Sequence, residues 1–150
     1  MRFENKGVLV TGATGGIGRE TCLQFAAEGA AVAVTDLDLA LAERLANEIE
    51  EKGGRAVGYE LDVTNQEQTD AVVNQAATDL GSIDIIFCNA GIREIQPAHQ
   101  LPLDEWKNVL EVNVTGVFVS AQSFAKHCIS ESKPGVIINT ASTLGVMGST

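Results

Sequence analysis

The stretch Val8-Leu-Val-Thr-Gly-Ala-Thr-Gly-Gly-Ile-Gly18 constrains this chain more than any other. A short apolar run enters a turn holding Gly15, Gly16 and Gly18, and a helical pattern opens near Ile17. A helix start offers unpaired N–H groups and the positive end of its dipole, and glycines without Cβ let a pyrophosphate approach that backbone closely. The spacing admits two patterns: Gly12, Gly16 and Gly18 fit G-x-x-x-G-x-G, whereas Gly12, Gly15 and Gly18 fit G-x-x-G-x-x-G. Neither ends in the Lys-Ser/Thr pair of a nucleotide P-loop, which argues against ATP or GTP. By itself the match could be an ordinary glycine-rich turn. Flanked by a strand and a helix, it reads as a dinucleotide phosphate cradle.

The remaining pattern alternates strand and helix. Gly18, Cys22, Phe25/Ala26 and Gly29 mark one face of a first helix that Gly29 stops. Ala31–Thr35 is a second strand, closed by Asp36 about twenty residues beyond the glycines, where a carboxylate can accept both hydroxyls of an adenosine ribose and would repel a 2′-phosphate. Leu41, Leu45 and Ile49 space a second helix, capped by Asp38 and ended by Gly53-Gly54. A third strand runs from Arg55 to Leu61 and closes on Asp62-Val63; Thr64-Asn-Gln-Glu67 reads as a capping box for a third helix. Ile83–Cys88 forms a fourth strand running into Asn89-Ala90-Gly91, and Val136–Thr140 a fifth, ending at Ala141-Ser142. These nearly continuous apolar runs fit parallel strands covered on both faces. The expectation is an α/β, Rossmann-type doubly wound sheet of order 3-2-1-4-5, forming one domain over residues 1–150, with ligand across the carboxyl ends of the strands.

Between strands four and five, one long helix is expected from Asp104 through Cys128, with Asn113 on its apolar stripe. A buried amide there needs hydrogen-bond partners. It is either a structural Asn bonding helix backbone or an Asn that interrupts the helix to hold a catalytic water. Gly116 permits close approach of another backbone, and His127 suits the negative end of the helix dipole. His99, in the loop from Gly91 to Pro102, is left outside the site. Ser142 can hydrogen-bond a carbonyl or alcohol oxygen and lies in no G-x-S-x-G elbow, so a hydrolase nucleophile is the weaker idea. Gly145, Gly148 and Ser149 read as a loop.

Charge narrows the partners. Ten basic against twenty acidic residues give a net charge of -10, which repels nucleic acid and anionic membrane surfaces. No run approaches the ~18 apolar residues of a membrane span, and the opening Met1–Gly7 has no export signal. Cys22, Cys88 and Cys128 are scattered in apolar patterns, which suits reduced core thiols and a cytoplasmic setting better than a disulfide or metal framework.

As a set, these residues resemble the short-chain dehydrogenase/reductase family over the whole chain. Thr11-Gly-Ala-Thr-Gly-Gly-Ile-Gly18 resembles its cofactor turn, Asp62-Val63 its adenine contact, and Asn89-Ala90-Gly91 its N-A-G motif. Asn113 in Asn-Val-Thr-Gly-Val-Phe and Ser142 in Ile-Ile-Asn-Thr-Ala-Ser are similar to its catalytic Asn and Ser. The N-A-G motif and the Asn113 context favour the compact branch over the extended, epimerase-like one. The resemblance implies hydride transfer between NAD(H), preferred over NADP(H) through Asp36, and an alcohol or ketone. Cofactor contacts would come from Gly12, Thr14, Gly15, Gly16, Ile17, Gly18, Asp36, Leu37, Asp62, Val63, Asn89, Ala90 and Gly91. In the family a Tyr-x-x-x-Lys pair follows the Ser. Here the single tyrosine, Tyr59, has Val63 in the place of that lysine, so the chain reads as the N-terminal part of such an enzyme, ending before the pair and after strand five. Cofactor binding without turnover is then expected of these residues alone, and a homo-oligomer of the parent. A non-catalytic dinucleotide-binding module or sensor is the alternative.

Overall fold

The computed structural model describes residues 1–145, apart from the Leu144 side chain. Gly148 and Ser149, read above as loop, lie outside the described residues. The elements in order are β1 (Gly7–Thr11), α1 (Gly16–Ala27), β2 (Ala31–Asp36), α2 (Leu39–Glu51), β3 (Arg55–Glu60), α3 (Gln66–Leu80), β4 (Ile85–Cys88), α4 (Leu103–Leu110), a π-helical segment (Glu111–Gly116), α5 (Val117–Ser130), β5 (Val136–Asn139) and a 3-10 turn (Thr143–Gly145). The strands form one parallel sheet in the order β3-β2-β1-β4-β5, as the βαβ pattern and right-handed crossovers require.

Successive side chains of a strand point to opposite faces, and β1 shows the consequence. Val8 and Val10 pack with Cys22, Leu45 and Ile49 on the α1/α2 face; Leu9 packs with Val73, Ala76 and Phe124 on the α3/α5 face. In register, Leu9 lies between Ala33 of β2 and Ile86 of β4. β1 and β2 are therefore apolar on both faces up to their carboxyl ends, because each face has its own helical layer. Burial on both faces does not extend to the rim, however: β3 is only partly buried and all of β5 is exposed.

Local chemistry sets the element ends. Asp38 caps α2 by accepting from the Leu41 amide at 3.1 Å. At α3 the expected capping box is displaced by one residue. Asn65 is the cap, accepting from Gln68 N at 3.0 Å, while Thr64 turns back to Asp62 through its amide (2.9 Å) and hydroxyl (2.7 Å). An Asx turn offers Thr64 two bonds to one carboxylate oxygen, more than a cap position would.

The single helix expected from Asp104 to Cys128 is also corrected: it is two α-helices joined by the π-helical segment that contains Asn113. Asn113 is exposed among the described residues rather than buried on a stripe. Gly116, at the end of that segment, is where Val63 packs; a Cβ there would lie 2.6 Å from Val63 Cγ2. His127, at the last turn of α5, has its Nδ1 3.0 Å from Asn74 Oδ1 on α3, so its contact is with a neighbouring helix.

Candidate functional site

A cleft of about 900 Å³ opens at the carboxyl ends of the strands, where the chain departs in opposite directions from β1 and β4, the position at which doubly wound sheets bind ligands. A smaller cavity of about 400 Å³ lies on the α1/α2 face, between the ends of those helices, away from every candidate residue.

Steric need places the glycines. Gly12 has φ +59, and a Cβ on it would lie 2.7 Å from Ala90 Cα, so only glycine lets the turn sit against the end of β4. A Cβ on Gly18 would strike the Gly12 carbonyl oxygen and come within 2.9 Å of Asn89 Nδ2, so this glycine lies beneath the turn and outside the cleft lining. Gly16 faces open space. Gly15, Gly16 and Ile17 line the cleft with Gly12 and Thr14. Unlike α2 and α3, α1 carries no side-chain cap, and unlike α3 it has no acid in its first turn. Its first N–H groups and positive dipole end are left for an anion lying over Gly16.

Asn89 fixes the turn from the β4 side. Its amide nitrogen Nδ2 donates to the carbonyls of Thr11 (3.1 Å) and Gly12 (3.0 Å), and the backbone N–H groups of Asn89 and Ala90 each donate to Thr11 Oγ1 at 3.0 Å. Asp36 holds it from the β2 side. Its Oδ2 accepts from the Thr14 amide (3.0 Å) and hydroxyl (2.7 Å), and Oδ1 accepts from Leu37 N at 2.9 Å. A carboxylate has about four acceptor sites, so one remains on Oδ1. The Thr14 hydroxyl, its hydrogen committed to Asp36, presents only acceptor lone pairs. Together the two groups offer acceptors to a ribose diol and nothing favourable to a phosphate. This lock spans 22 residues and leaves no periodic trace in the sequence.

Leu37, Asp62 and Val63 line the same side of the cleft, beyond β2 and β3. Asp62 Oδ1 is held by Thr64, and the Asp62 amide donates to Gln68 Oε1 at 2.9 Å. Ala90 and Gly91 line the other side, together with Ile92, Arg93, Val112 and Thr140, which the sequence did not single out.

Asn113 lies outside the cleft lining and acts on its wall. Its Oδ1 accepts from Ile92 N and its Nδ2 donates to Ile92 O, each at 2.8 Å. The amide is thus satisfied by loop backbone, and the π-helical segment is what aims it there; such segments occur frequently at functional sites. Ser142 is exposed, three residues beyond the end of β5, and its carbonyl accepts from Gly145 N at 3.0 Å.

Cys88, at the end of β4, has its thiol pushed up to about 11 by burial, which removes it as a nucleophile near neutral pH. Tyr59 Oη donates to Asp79 Oδ2 at 2.8 Å. Burial first, and then that bond, raise its pKa; it lies outside the cleft lining. Among the described residues no group of three or more His, Cys, Asp or Glu is arranged to hold a metal, and no described helix is long and apolar enough to cross a membrane.

Comparison with known proteins adds four findings. The family model described as short chain dehydrogenase matches residues 6–150. The cyclohexanol dehydrogenase of Acinetobacter sp. (strain SE19) is 35% identical over 148 residues, covering 98% of this chain and 59% of the relative. The cis-4-hydroxycyclohexanecarboxylate dehydrogenase of Sinomonas cyclohexanicum is also 35% identical, covering 97% of this chain and 58% of its own. Among solved structures, that of NAD+-bound xylitol dehydrogenase superposes with a TM-score of 0.92 at 38% identity, over 99% of this chain and 57% of the other. The chain thus spans about three fifths of the length of the curated relatives it matches.

Proposed function

The chain belongs to the short-chain dehydrogenase family, and from that premise we propose that residues 1–150 are the NAD-binding domain of an oxidoreductase moving hydride between NAD(H) and an alcohol or ketone. The observation that carries the reading is the cleft itself, with an uncapped α1 terminus over open space at Gly16 and the Thr14–Asp36 lock beside it. The α1 N–H groups would hold the pyrophosphate, Asp36 and Thr14 the adenosine ribose, and Asp62 and Val63 the adenine edge. Asn89 keeps the Gly12 turn in place for that contact. The bound nicotinamide supplies the hydride acceptor.

On the β4/β5 side, Ser142 would hydrogen-bond the substrate oxygen, and Asn113 would hold the loop at Ile92 that forms the neighbouring wall. A serine hydroxyl is a poor base, so proton removal requires a further acid–base group, worth ~10²–10⁴-fold in rate. NAD-bound xylitol dehydrogenase and two dehydrogenases of hydroxylated rings among the relatives support small alcohols as the substrate class. A homo-oligomer of the whole protein is part of the same proposal, supported by the exposed stripe Leu103, Trp106, Leu110, Val114 and Phe118 on one helical face. Three free, buried thiols support a reducing cytoplasm.

Calorimetric titration of the chain with NAD and NADP is the test. NAD is expected to bind about tenfold or more tightly, because a 2′-phosphate would face the Asp36 carboxylate across a few ångströms. Asp36→Ala should bring the two dissociation constants together. Equal constants in the unmodified chain would overturn the assignment.

A further inference from the structure

We infer that the cleft takes a hydroxy substrate bearing a carboxylate, with Arg93 as the residue that selects it. The inference rests on the NAD-dependent reading above and adds the substrate class.

In a chain of net charge -10, six of the ten lysines and arginines have found an acid. Arg2, Lys6, Arg19, Lys52, Lys126 and Lys133 form ion pairs, and Arg55 donates to the Asp79 carbonyl. Only Arg44, Arg93 and Lys107 have no such partner among the described residues, and of these only Arg93 lines the cleft. Among the described residues no acid, the adjacent Glu94 included, forms an ion pair with it; Glu105 accepts from Gln96 at 2.7 Å and Glu111 from Thr115.

The base of Arg93 is also fixed. It directly follows Ile92, whose N–H and C=O are both clamped by Asn113 at 2.8 Å, so the guanidinium springs from a held point rather than from the free part of the loop. An arginine so placed meets a carboxylate as a bidentate, charge-assisted pair.

The direction of the chain separates this partner from the cofactor's pyrophosphate. Asn89 and Ala90 touch Thr11 and Gly12, but Gly91 and Ile92 approach Asn113 on the π-helical segment. The residues after β4 thus leave the Gly12 turn for the π-helical segment, and Arg93 lines the cleft together with Thr140, which follows β5. Asp36 closes β2 and Asp62 follows β3. Among the described residues Arg93 is the one cation of that lining.

The test uses the chain saturated with NADH, which cannot accept hydride, titrated with cyclohexanol and with cis-4-hydroxycyclohexanecarboxylate. The two probes differ by the carboxylate. The acid should bind about tenfold or more tightly, in line with a charged hydrogen bond, and the ratio should shrink with added salt. Arg93→Gln should bring the ratio near one by weakening the acid, Arg93→Lys should retain part of it, and Lys107→Gln, a cation outside the cleft, should leave it intact. Equal affinities in the unmodified chain overturn the inference, as does an Arg93→Gln variant that keeps the ratio. So does a variant that loses NADH affinity in step with the acid, since the partner would then be the pyrophosphate. Failure of NADH to bind the unmodified chain would instead overturn the NAD-dependent reading.

Discussion

β1 and β5 are both apolar strands of the same sheet, with β4 alone between them, yet every residue of β1 is buried and every residue of β5 is exposed. The difference is one of neighbours. β1 has a strand on each edge and a helical layer on each face, whereas among the described residues β5 is paired on one edge only, and Val136, Ile137 and Ile138 are 53%, 42% and 39% exposed. The same contrast holds for helices: α2 buries Ala42, Leu45, Ala46 and Ile49, while α4 buries none of its residues. The proposed phosphate and ribose contacts fall in the closed region, β1 to β3, and the proposed substrate contacts in the open one, β4 to β5.

The largest expected effect tests that contrast directly. Leu9→Ala in β1, fully buried, should destabilise the chain by about 2–5 kcal/mol, whereas Ile137→Ala in β5 should change stability by about 0.5 kcal/mol or less. Denaturant titration of the two variants decides it. Similar losses would mean that β5 is as well packed as β1 in solution.

A middle-sized effect sits at the joint between the regions. Asp84 bridges three strands: its N–H donates to Gly7 O (2.8 Å), its C=O accepts from Val136 N (3.0 Å), and its carboxylate accepts from Gly7 N (3.0 Å), Lys6 (3.0 Å) and Ser82 (2.8 Å). Burial acts to raise its pKa, but those donors outweigh it and hold the carboxyl below its ordinary value. A depressed folded pKa contributes stability above the unfolded value, lost as pH falls through the folded one. The chain should therefore lose stability on acidification below about pH 4. Asp84→Asn should lack that contribution and cost about 1 kcal/mol at neutral pH. Melting curves across the acid range check it; an unchanged acid limb would show that Asp84 does not tie the regions together.

The smallest effect is kinetic. Burial pushes Cys22 up to about 12 and Cys88 up to about 11. Cys128 of α5 is raised too, by burial first and then by the Asp84 carboxylate against the opposing Lys133, but it retains 8% of its surface. Under native conditions at neutral pH, alkylation followed by mass spectrometry should modify Cys128 first, with all three slow. Faster labelling of Cys22 would place the looser packing in the region described as closed.

The sequence by itself determined the alternation of strands and helices, the sheet order and the glycine turn, because these follow from local periodicity, chain reach and the sterics of a missing Cβ. Gly12 and Gly18 were legible for that reason, as was the Asp38 cap. What only the tertiary structure decided are features joining residues far apart in the chain. The Thr14–Asp36 lock depends on two loops meeting at the strand ends. The π-helical segment adds no change of hydropathy to mark it, and its consequence, the Asn113 clamp on Ile92, lies 21 residues away. Thr64 and Asn65 exchanged their expected roles because an Asp62 carboxylate was within reach. The exposure of β5 and the place of Arg93 in the cleft lining were equally invisible, since an apolar run carries no record of how many neighbours it meets, and a lone arginine no record of whether an acid folds against it.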